Sequence, residues 1–457
     1  MKQKLTYHST ANRQLLLFFA GWGMDANPFE TLRRESYDVM VVWDYSTDSF
    51  DTKQLDGYSE ICIMAWSFGV YEAATFIRKH PRLPVTRTIA VNGTLSPVDD
   101  EKGIPQAIFN GTLENMSERN LAKFYRRMCI DSSVYADFCA SAPQRPVDEL
   151  SHELSVIGAS AQSAPNFSPD EWDVVYISAS DRIIPTANQH NAWSGHKNIK
   201  ALNAGHLVDF NEILKHELID KRLVANRFEG SQNTYDTHAT VQKLMAEHLA
   251  DLTANAIPQG KPVDDMLEIG VGSGLFTRCY LERMTPKRLT LCDLGNIPES
   301  LPGTHIKRDG ELYVKELPAD SFDVVTSAST IQWFNSVGAF MAECHRILHR
   351  DGLLSLSTFG PATFKELSRH LSNPLEYPSA EALIHMSAGK FSIIAVEESI
   401  ETIEFESTAK LLEHMRLTGV NATSSDARSS ISAVRNILRE GHTSLTYNPI
   451  YILLKKL

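Results

Sequence analysis

The sequence has few cysteines, no long apolar run near its start and no excess of positive charge. Its 457 residues include six cysteines, none in a C-x-x-C pair, which argues against a disulfide framework and predicts reduced thiols. The apolar run at residues 15–20 is far shorter than the roughly 20 residues that cross a membrane, and no small-residue cleavage site follows it. A formal net charge of -12 argues against nucleic acid as the main partner, because phosphate binding requires a basic face. These absences predict a cytoplasmic protein without a nucleic-acid or membrane partner.

Two series of short apolar runs divide the chain, which is too long for one hydrophobic core. In each series the runs alternate with amphipathic stretches, a pattern typical of an α/β domain with a mainly parallel sheet. We therefore predict two α/β domains, at residues 1–215 and 216–457. The predicted strands of the first are residues 15–19, 39–43, 61–65, 87–91, 174–178 and 198–202, and those of the second are residues 265–269, 288–292, 322–327, 353–358 and 443–454.

Helical stretches complete this prediction. Residues 70–79 follow the third strand as a helix, and residues 117–138 are predicted to form a helical cap over the carboxyl edge of the first sheet. Residues 214–252 are rich in helix signals and contain no proline or flexible linker, so we expect a helical connection between the domains.

The motif Ala65-Trp66-Ser67-Phe68-Gly69 follows the third predicted strand. It is typical of the strand-to-helix turn that presents a serine nucleophile, although alanine stands where glycine is usual. Asp181 follows a later strand and His206 follows the last one, which is the Ser, Asp, His order of the α/β-hydrolase fold. In that chemistry His206 takes the Ser67 proton and Asp181 fixes the imidazole tautomer.

The intermediate of such a reaction carries an oxyanion that needs two backbone N–H donors. Phe68, directly after the nucleophile, is predicted to supply one. Trp22, in Gly21-Trp22-Gly23 just past the first strand, is predicted to supply the other.

A glycine-rich loop opens the second series. Gly270, Gly272 and Gly274 follow a strand that contains Glu268 and precede a helical run at residues 275–282, as a loop that receives a nucleotide-type cofactor requires. Asp293 ends the next strand, where an acid accepts hydrogen bonds from ribose hydroxyls. A nicotinamide dehydrogenase would share that acid, so Asp293 alone leaves the cofactor open.

The stretch Leu17-Phe18-Phe19-Ala20-Gly21-Trp22-Gly23-Met24-Asp25, taken with the serine motif, resembles the BioG-type esterases of biotin synthesis over roughly residues 1–215. The resemblance implies hydrolysis of the methyl ester of pimeloyl-[acyl-carrier protein]. It also implies an acidic carrier protein as partner, which a basic cap would steer. The residues predicted to dock the carrier are Arg119, Lys123, Arg126 and Arg127.

The acid and glycine pattern of the second half resembles Rossmann-like S-adenosylmethionine methyltransferases. One segment resembles the S-x-x-x-x-Q-W segment of BioC-type malonyl-[acyl-carrier protein] O-methyltransferases, namely Ser327-Ala328-Ser329-Thr330-Ile331-Gln332-Trp333. Further segments resemble the same family, at Arg227-Phe228 and at residues 418–422 and 445–451. The resemblance covers essentially residues 216–457 and implies S-adenosylmethionine as cofactor. It implies a cofactor site at Glu268, Gly270, Gly272, Gly274, Asp293, Asp309, Gly310 and Ser327, and an active-site edge at Gln332, Trp333 and Tyr235.

Together the two halves predict a bifunctional enzyme that methylates malonyl-[acyl-carrier protein] and later hydrolyses the methyl ester of the pimeloyl form. Two alternatives stay open. One is a methyltransferase with a non-catalytic carrier-docking module, and the other is a general carboxylesterase fused to a small-molecule methyltransferase. No metal is predicted, because His345 and His349 beside Cys344 lack an obvious third ligand.

Overall fold

The fold is described from a computed structural model that covers residues 1–10, 12–162, 167–369, 375, 377–418 and 427–457. Residues 419–422, part of the resemblance noted above, lie outside this range. The chain divides into two units, Met1–Ile213 and Leu214–Leu457. Within the described ranges, no helix combines the length and the apolar character that crossing a membrane requires.

The first unit is built on a seven-stranded sheet of order β1-β3-β2-β4-β5-β6-β7. Six strands are parallel, and β1 pairs antiparallel with β3 at the edge. The central strands β2 and β4 are buried along their whole length, as expected for a parallel sheet covered on both faces. The strands are β1 Lys2–Tyr7, β2 Gln14–Phe19, β3 Tyr37–Trp43, β4 Glu60–Trp66, β5 Val85–Val91, β6 Val174–Ser178 and β7 Ile199–Leu202.

Four helices between β5 and β6 form the cap of the first unit. The prediction of one helical stretch at residues 117–138 is wrong in one respect, because these residues form two separate helices. The break lies at Asp131, whose side chain accepts hydrogen bonds from the N–H groups of Ser133 and Val134 and so begins a new helix. The helices of this unit are α1 Phe68–Lys79, the cap helices α2 Gln106–Glu114, α3 Glu118–Met128, α4 Ser132–Ala140 and α5 Val147–Gln162, and then α6 Thr186–Ala192. Helix α7 Phe210–Glu217 includes the boundary between the two units, at Ile213 and Leu214.

The second unit has a seven-stranded sheet of order β10-β9-β8-β11-β12-β16-β13 and a two-stranded sheet of β14 and β15. The first five strands of the large sheet run parallel, and β16 lies antiparallel between β12 and β13. The strands are β8 Asp265–Ile269, β9 Arg288–Asp293, β10 Thr304–Lys307, β11 Phe322–Ala328, β12 Leu348–Phe359, β13 Phe391–Glu398, β14 Glu401–Glu404, β15 Ser444–Tyr447 and β16 Pro449–Lys456. The helices are α8 Lys221–His238, α9 Thr240–Ala256, α10 Leu275–Leu281, α11 Gly310–Glu316, α12 Val337–Ile347, α13 Ala380–Ser387, α14 Thr408–Leu417 and α15 Ala427–Glu440.

The prediction of a single strand at residues 443–454 is wrong, because these residues form two strands that are separated at Asn448. The Asn448 side chain is buried and donates to the Glu398 carboxylate at 3.0 Å and to the Ser399 carbonyl at 2.9 Å. Pro449 then begins β16. The two parts consequently pair in different sheets, β15 with β14 and β16 with β12 and β13.

Candidate active sites

The first candidate site lies at the turn between β4 and α1. Ser67 occupies this turn with φ 59° and ψ -128°, a backbone conformation that is strained for any residue with a side chain. A Cβ added at Gly69 would lie 2.3 Å from the Phe19 carbonyl oxygen, and one at Gly93 would lie 2.3 Å from the Ser67 carbonyl oxygen. Glycine at these two positions therefore lets neighbouring backbones close around the serine. Ala65, the departure from the usual motif, occupies a regular position in β4.

The structure brings Ser67, His206 and Asp181 into one hydrogen-bonded chain. His206 Nε2 lies 2.9 Å from Ser67 Oγ, and His206 Nδ1 lies 2.8 Å from Asp181 Oδ2. Ser67 and His206 are 5% and 1% exposed. An Asp181 carboxylate that accepts from Nδ1–H leaves Nε2 as an acceptor for the serine hydroxyl, which is the arrangement a general base needs.

Further donors fix the Asp181 carboxylate. Its Oδ1 accepts from the backbone N–H groups of Ile183 at 2.8 Å and Ile184 at 3.1 Å. Its Oδ2 accepts from Nε2 of Gln189 in α6 at 2.8 Å. Sequence reasoning missed Gln189, because nothing in the sequence around it distinguishes it from an ordinary helix residue.

The backbone of His206 is held from two directions. Its carbonyl accepts a hydrogen bond from Trp66 Nε1 at 2.9 Å and another from Asn92 Nδ2 at 2.9 Å. Asn92 is buried, has φ 44°, and accepts from the Ser178 N–H at 2.7 Å through its own Oδ1. Sequence reasoning missed Asn92 too, although an Asn-Gly pair directly after β5 was an available signal for a special turn.

Of the two predicted oxyanion donors, Phe68 directly follows the serine in the chain, and Trp22 follows Gly21, which lies close to it. Phe68 is the first residue of α1, so its N–H has no acceptor within the helix. A Cβ on Gly21 would lie 3.1 Å from Ser67 Cβ, which brings the Gly21-Trp22 backbone against the nucleophile. The Trp22 side chain is buried, donates to the Leu150 carbonyl at 2.9 Å and contacts the Phe124 ring.

The four predicted docking residues lie on α3 of the cap. All four side chains are exposed. Arg126 stacks on the Tyr135 ring at 5.2 Å, and Lys123 donates to the Asn120 side chain. Within the described ranges none of the four forms an ion pair with a carboxylate. The α3 surface therefore presents positive charge on a protein whose net charge is negative.

The second candidate site is a cavity above the carboxyl ends of β8, β9 and β11. The loop glycines Gly270, Gly272 and Gly274 have φ of 80°, 55° and 80°, which glycine adopts without strain. A Cβ on Gly270 would lie 2.1 Å from Thr330 Oγ1, whereas one on Gly272 meets nothing within 4 Å. Gly272 therefore opens onto free space, which is the feature a bound nucleoside requires of this loop.

Most of the predicted cofactor residues line this cavity, together with side chains that sequence reasoning missed. Aromatic rings form part of its wall, and Phe228 packs on Trp333 edge to face at 5.6 Å. The predicted residues that line it are Gly270, Gly272, Asp293, Asp309, Gly310, Trp333 and Tyr235. Those not predicted include Lys221, Phe228, Glu229, Gln242, Ser329 and Thr330.

Four predicted residues do not line the cavity, and this corrects the predicted site. Glu268 is buried beneath the loop, where it accepts from Thr277 Oγ1 and Tyr280 Oη, both at 2.7 Å. Gly274 instead begins α10 as its N-cap. Ser327 donates to the Ile269 carbonyl at 2.8 Å, and Gln332 donates to the Ser329 carbonyl at 2.6 Å. These residues shape the loops around the cavity from behind, through the hydrogen bonds just given, although the second carboxylate oxygen of Glu268 makes no hydrogen bond among the described residues.

Charge around the cavity is mostly negative. Burial raises the pKa of the Asp293 carboxyl, while the N–H groups of Gly272 and Gly295 that donate to it act in the opposite direction. Burial also raises the pKa of Glu268 to about 7. Lys221 lies 2.7 Å from Glu311 and 3.5 Å from Asp309, so its charge is matched by neighbouring acids. Within the described ranges, no group of three or more side chains is arranged to hold a metal ion.

Comparison with known proteins gives a match for each half. A family model described as "Pimeloyl-ACP methyl esterase BioG" matches residues 1–217, and one described as "Methyltransferase domain" matches residues 267–356. A malonyl-[acyl-carrier protein] O-methyltransferase of Bacteroides fragilis is 35% identical over 467 residues, covering 97% of this chain and 93% of that protein. One of Bacteroides helcogenes is 32% identical and covers 52% of this chain and 99% of its own length. The crystal structure of BioG from Haemophilus influenzae is 35% identical and covers 46% of this chain and 94% of its own, with a TM-score of 0.41.

Proposed function

The chain belongs to the family of malonyl-[acyl-carrier protein] O-methyltransferases and carries a BioG region ahead of its methyltransferase domain, and from this premise we propose that it is a bifunctional enzyme of biotin synthesis. The second unit methylates the free carboxyl of malonyl-[acyl-carrier protein]. The first unit removes the methyl group once the acyl chain has reached pimeloyl length. Methylation hides a charge that would cost several kcal/mol to bury in an apolar elongation site.

The first unit is proposed to be an α/β-hydrolase carboxylesterase, and its main support is the Ser67–His206–Asp181 hydrogen-bond chain at 2.9 and 2.8 Å. Ser67 Oγ attacks the ester carbonyl while His206 Nε2 takes its proton. The backbone N–H groups of Trp22 and Phe68 donate to the oxyanion. His206 returns the proton to the leaving methanol, and water then attacks the acyl-serine to release the acid and free Ser67.

Carrier docking on α3 supports the choice of substrate. The exposed Arg119, Lys123, Arg126 and Arg127 face solvent without carboxylate partners among the described residues. A positive surface on the cap attracts an acidic carrier and raises the association rate at low salt. The proposed hydrolysis uses no cysteine side chain.

The second unit uses S-adenosylmethionine as its cofactor, and the cavity fits that group. The open space at Gly272, the acids Asp293 and Asp309, and the aromatic wall suit a nucleoside. Asp293 would hold the ribose, and Asp309 with Gly310 would hold the adenine. When bound, the cofactor supplies a methyl group on a positively charged sulfur. A malonyl carboxylate is already ionised at neutral pH, so the chain's own task is to align it and exclude water.

Paired variants test the bifunctional proposal in the full chain. Ser67→Ala is expected to abolish methanol release from pimeloyl-[acyl-carrier protein] methyl ester and to leave methylation of the malonyl carrier unchanged. Gly272→Asp is expected to do the reverse, because its side chain enters the cavity. Gly260 also has a positive φ, 80° against 55° at Gly272, has open space around it and lies outside the cavity, so Gly260→Asp is the control. The exposed Ser194→Ala controls for Ser67→Ala.

Other outcomes separate the alternatives. If wild type methylates the malonyl carrier and releases no methanol from the pimeloyl ester, the first unit is a docking module. If both units act on small esters and acids and ignore the carrier-bound substrates, the chain is a general carboxylesterase fused to a small-molecule methyltransferase.

A further inference from the structure

The loop at residues 20–25, which follows β2 and is called the oxyanion loop below, is held by different parts of the first unit along its length. At its start the Ala20 N–H donates to the Val42 carbonyl of β3 at 2.9 Å, and the Ala20 carbonyl accepts from the Tyr45 hydroxyl at 2.6 Å. Trp22, the proposed oxyanion donor, comes two residues later. Strand β3 and the chain that leaves it therefore fix the beginning of this loop.

The cap holds the next part of the oxyanion loop. The Trp22 indole donates to the Leu150 carbonyl of α5 at 2.9 Å, and the Gly23 carbonyl accepts from the Tyr125 hydroxyl of α3 at 2.9 Å. Gly23 has φ 84°, and a Cβ added there would lie 3.7 Å from the Tyr125 ring. Two cap helices therefore contact the loop at Trp22 and directly after it.

Arg145, just before α5, holds the loop one residue further on and is itself held by buried acids. Its Nη1 donates to the Met24 carbonyl at 3.2 Å and to the Glu153 carboxylate at 2.6 Å, and its Nη2 lies 3.2 Å from the Asp44 carboxylate. The Arg145 side chain is 5% exposed and that of Glu153 is fully buried. Because the planar guanidinium is fixed by two carboxylates, its contact with the Met24 carbonyl is fixed as well.

One buried acid connects the two ends of this network. Glu153 of α5 accepts from the Tyr45 N–H at 2.9 Å through its Oε1, while its Oε2 accepts from Arg145. The Tyr45 hydroxyl is the group that donates to the Ala20 carbonyl. The start of the oxyanion loop and its later part are therefore tied to the same cap helix.

The position of this backbone matters because an oxyanion donor acts at short range. Donors must lie about 2.7–3.1 Å from the oxygen that becomes negative, and removing one of them typically lowers kcat about 10²–10³-fold. A displaced donor loses part of that stabilisation, whereas the uncharged ester in the ground state is little affected. A fault in the hold on this loop is therefore expected in kcat and not in KM.

We propose that Tyr125 and Arg145 are positioning residues that hold the Trp22 N–H in place for the oxyanion, so that the cap takes part in the chemistry. The inference rests on the proposed esterase function. Helix α3 carries the proposed docking residues on its exposed face and Tyr125 on its partly buried face. The helix that is proposed to bind the carrier thus also holds the oxyanion loop.

Two variants in the full chain weaken this hold. Tyr125→Phe removes the hydroxyl that donates to the loop. Arg145→Lys keeps a positive charge beside the buried acids and loses the planar fork that reaches both an acid and the loop. Tyr58→Phe and Arg33→Lys are the matched controls. The Tyr58 hydroxyl also donates to an oxygen, at 2.6 Å, and Arg33 Nη1 also donates to backbone carbonyls, in each case outside the loop.

Two measurements report on the oxyanion. Hydrolysis of p-nitrophenyl butyrate, a small ester without the carrier, gives kcat and KM. The Ki of a trifluoromethyl alkyl ketone reports on the tetrahedral state itself. The Ser67 oxygen bonds to the ketone carbon, the carbonyl π electrons move to the oxygen, and His206 takes the serine proton. Because this adduct carries the oxyanion, its stability depends on the Trp22 N–H as the transition state does.

We expect Tyr125→Phe and Arg145→Lys each to lower kcat about tenfold, to keep KM within about twofold, and to raise the Ki of the ketone about tenfold. The two controls are expected to leave all three quantities unchanged. A variant that merely folds less well has fewer active sites, which lowers the apparent kcat and leaves Ki unchanged. The Ki therefore separates positioning from a general loss of structure, and thermal unfolding is measured beside it.

The inference is overturned if Ki stays unchanged in either variant, if KM rises while kcat does not change, or if the controls behave like the variants. If Arg145→Lys does not fold, Tyr125→Phe alone decides. A wild type that hydrolyses p-nitrophenyl butyrate and not the pimeloyl-[acyl-carrier protein] methyl ester contradicts the proposed substrate, and the variants still test the positioning. A wild type that hydrolyses neither ester and does not bind the ketone contradicts the proposed esterase and this inference together.

Discussion

At the scale of single residues, each unit holds a serine in the left-handed region at the carboxyl end of a strand, Ser67 at 59° and Ser329 at 50°. The Ser67 motif could be found from the sequence because the turn requires small neighbours at fixed spacing. The role of Asn92 could not be found, since its partner His206 lies 114 residues away and the Asn-Gly pair signals only a turn. Gln189 lies eight residues after Asp181, but nothing in its sequence distinguishes it from an ordinary helix residue. Gln332 and Glu268 were found by pattern, yet their side chains bond within the protein and not to the cavity.

Asn92 provides a test of how the imidazole is held. Asn92→Gly keeps the backbone free to adopt φ 44° and removes the hydrogen bond to the His206 carbonyl. We expect esterase kcat to fall roughly tenfold or more with little change in KM, because a misplaced general base slows the chemistry. Asn92→Ala is expected to be additionally less stable by about 1–2 kcal/mol, since alanine is strained at positive φ. Steady-state kinetics and thermal unfolding measure the two effects, and unchanged kcat in both variants contradicts the assignment.

Glu72 of α1 predicts a pH dependence of stability. Burial and the nearby Glu153 carboxylate raise the pKa of Glu72 from 4.5 to about 8. Between pH 4.5 and about 8 the folded protein keeps a proton that the unfolded chain releases. The free energy of unfolding therefore falls as the pH rises through this range, by about 1.4 kcal/mol per pH unit. Glu72→Gln is therefore expected to unfold at a higher temperature than wild type near pH 8.5 and at a similar temperature near pH 5. An equal difference at both pH values, or the same behaviour in the exposed Glu101→Gln, would contradict this reading.

At the scale of elements, the buried parallel strands of both sheets were predictable because they are short and almost wholly apolar. The edge strand β1 was missed because its sequence is polar and largely exposed. The strands β10 and β14 are four residues long and mostly exposed, so their sequences show no clear alternation of apolar and polar residues. The break at Asn448 and the two-helix form of residues 117–138 depend on side-chain caps, which an apolar pattern does not reveal.

Helix α8 contributes one wall of the methyltransferase cavity, and Lys221 in its first turn fixes it to α11. Lys221 Nζ donates to Glu311 at 2.7 Å and lies over the Phe334 ring at 4.7 Å. Lys221→Met leaves a buried carboxylate without its cation, so we expect S-adenosylhomocysteine to bind about tenfold more weakly. Hydrogen exchange of the first turns of α8 is expected to become faster. Lys243→Met on the exposed face of α9 is the control, and unchanged exchange and affinity at Lys221→Met would show that α8 is held by other contacts.

At the scale of the whole molecule, the proposed function gives the two units opposite reactions on one methyl ester, so the proposed esterase would have to spare the short ester made by the same chain. Two cap helices pack beside the serine turn, since Phe109 of α2 contacts the Phe68 ring and Phe124 of α3 contacts the Trp22 ring. We therefore propose that the cap selects for acyl length. We expect kcat/KM for the pimeloyl methyl ester on the carrier to exceed that for the malonyl methyl ester by at least about 100-fold, a discrimination of roughly 2.7 kcal/mol. Comparable values for the two esters would mean that selection does not occur in the first unit.

The most direct measurement follows a labelled methyl group through the full chain. Malonyl-[acyl-carrier protein] and methyl-labelled S-adenosylmethionine are incubated with wild type and with Ser67→Ala, and then labelled pimeloyl-[acyl-carrier protein] methyl ester is added. We expect label on the malonyl carrier with both proteins, and labelled methanol from the pimeloyl ester with wild type alone. No label on the malonyl carrier, or equal methanol release by Ser67→Ala, would contradict it.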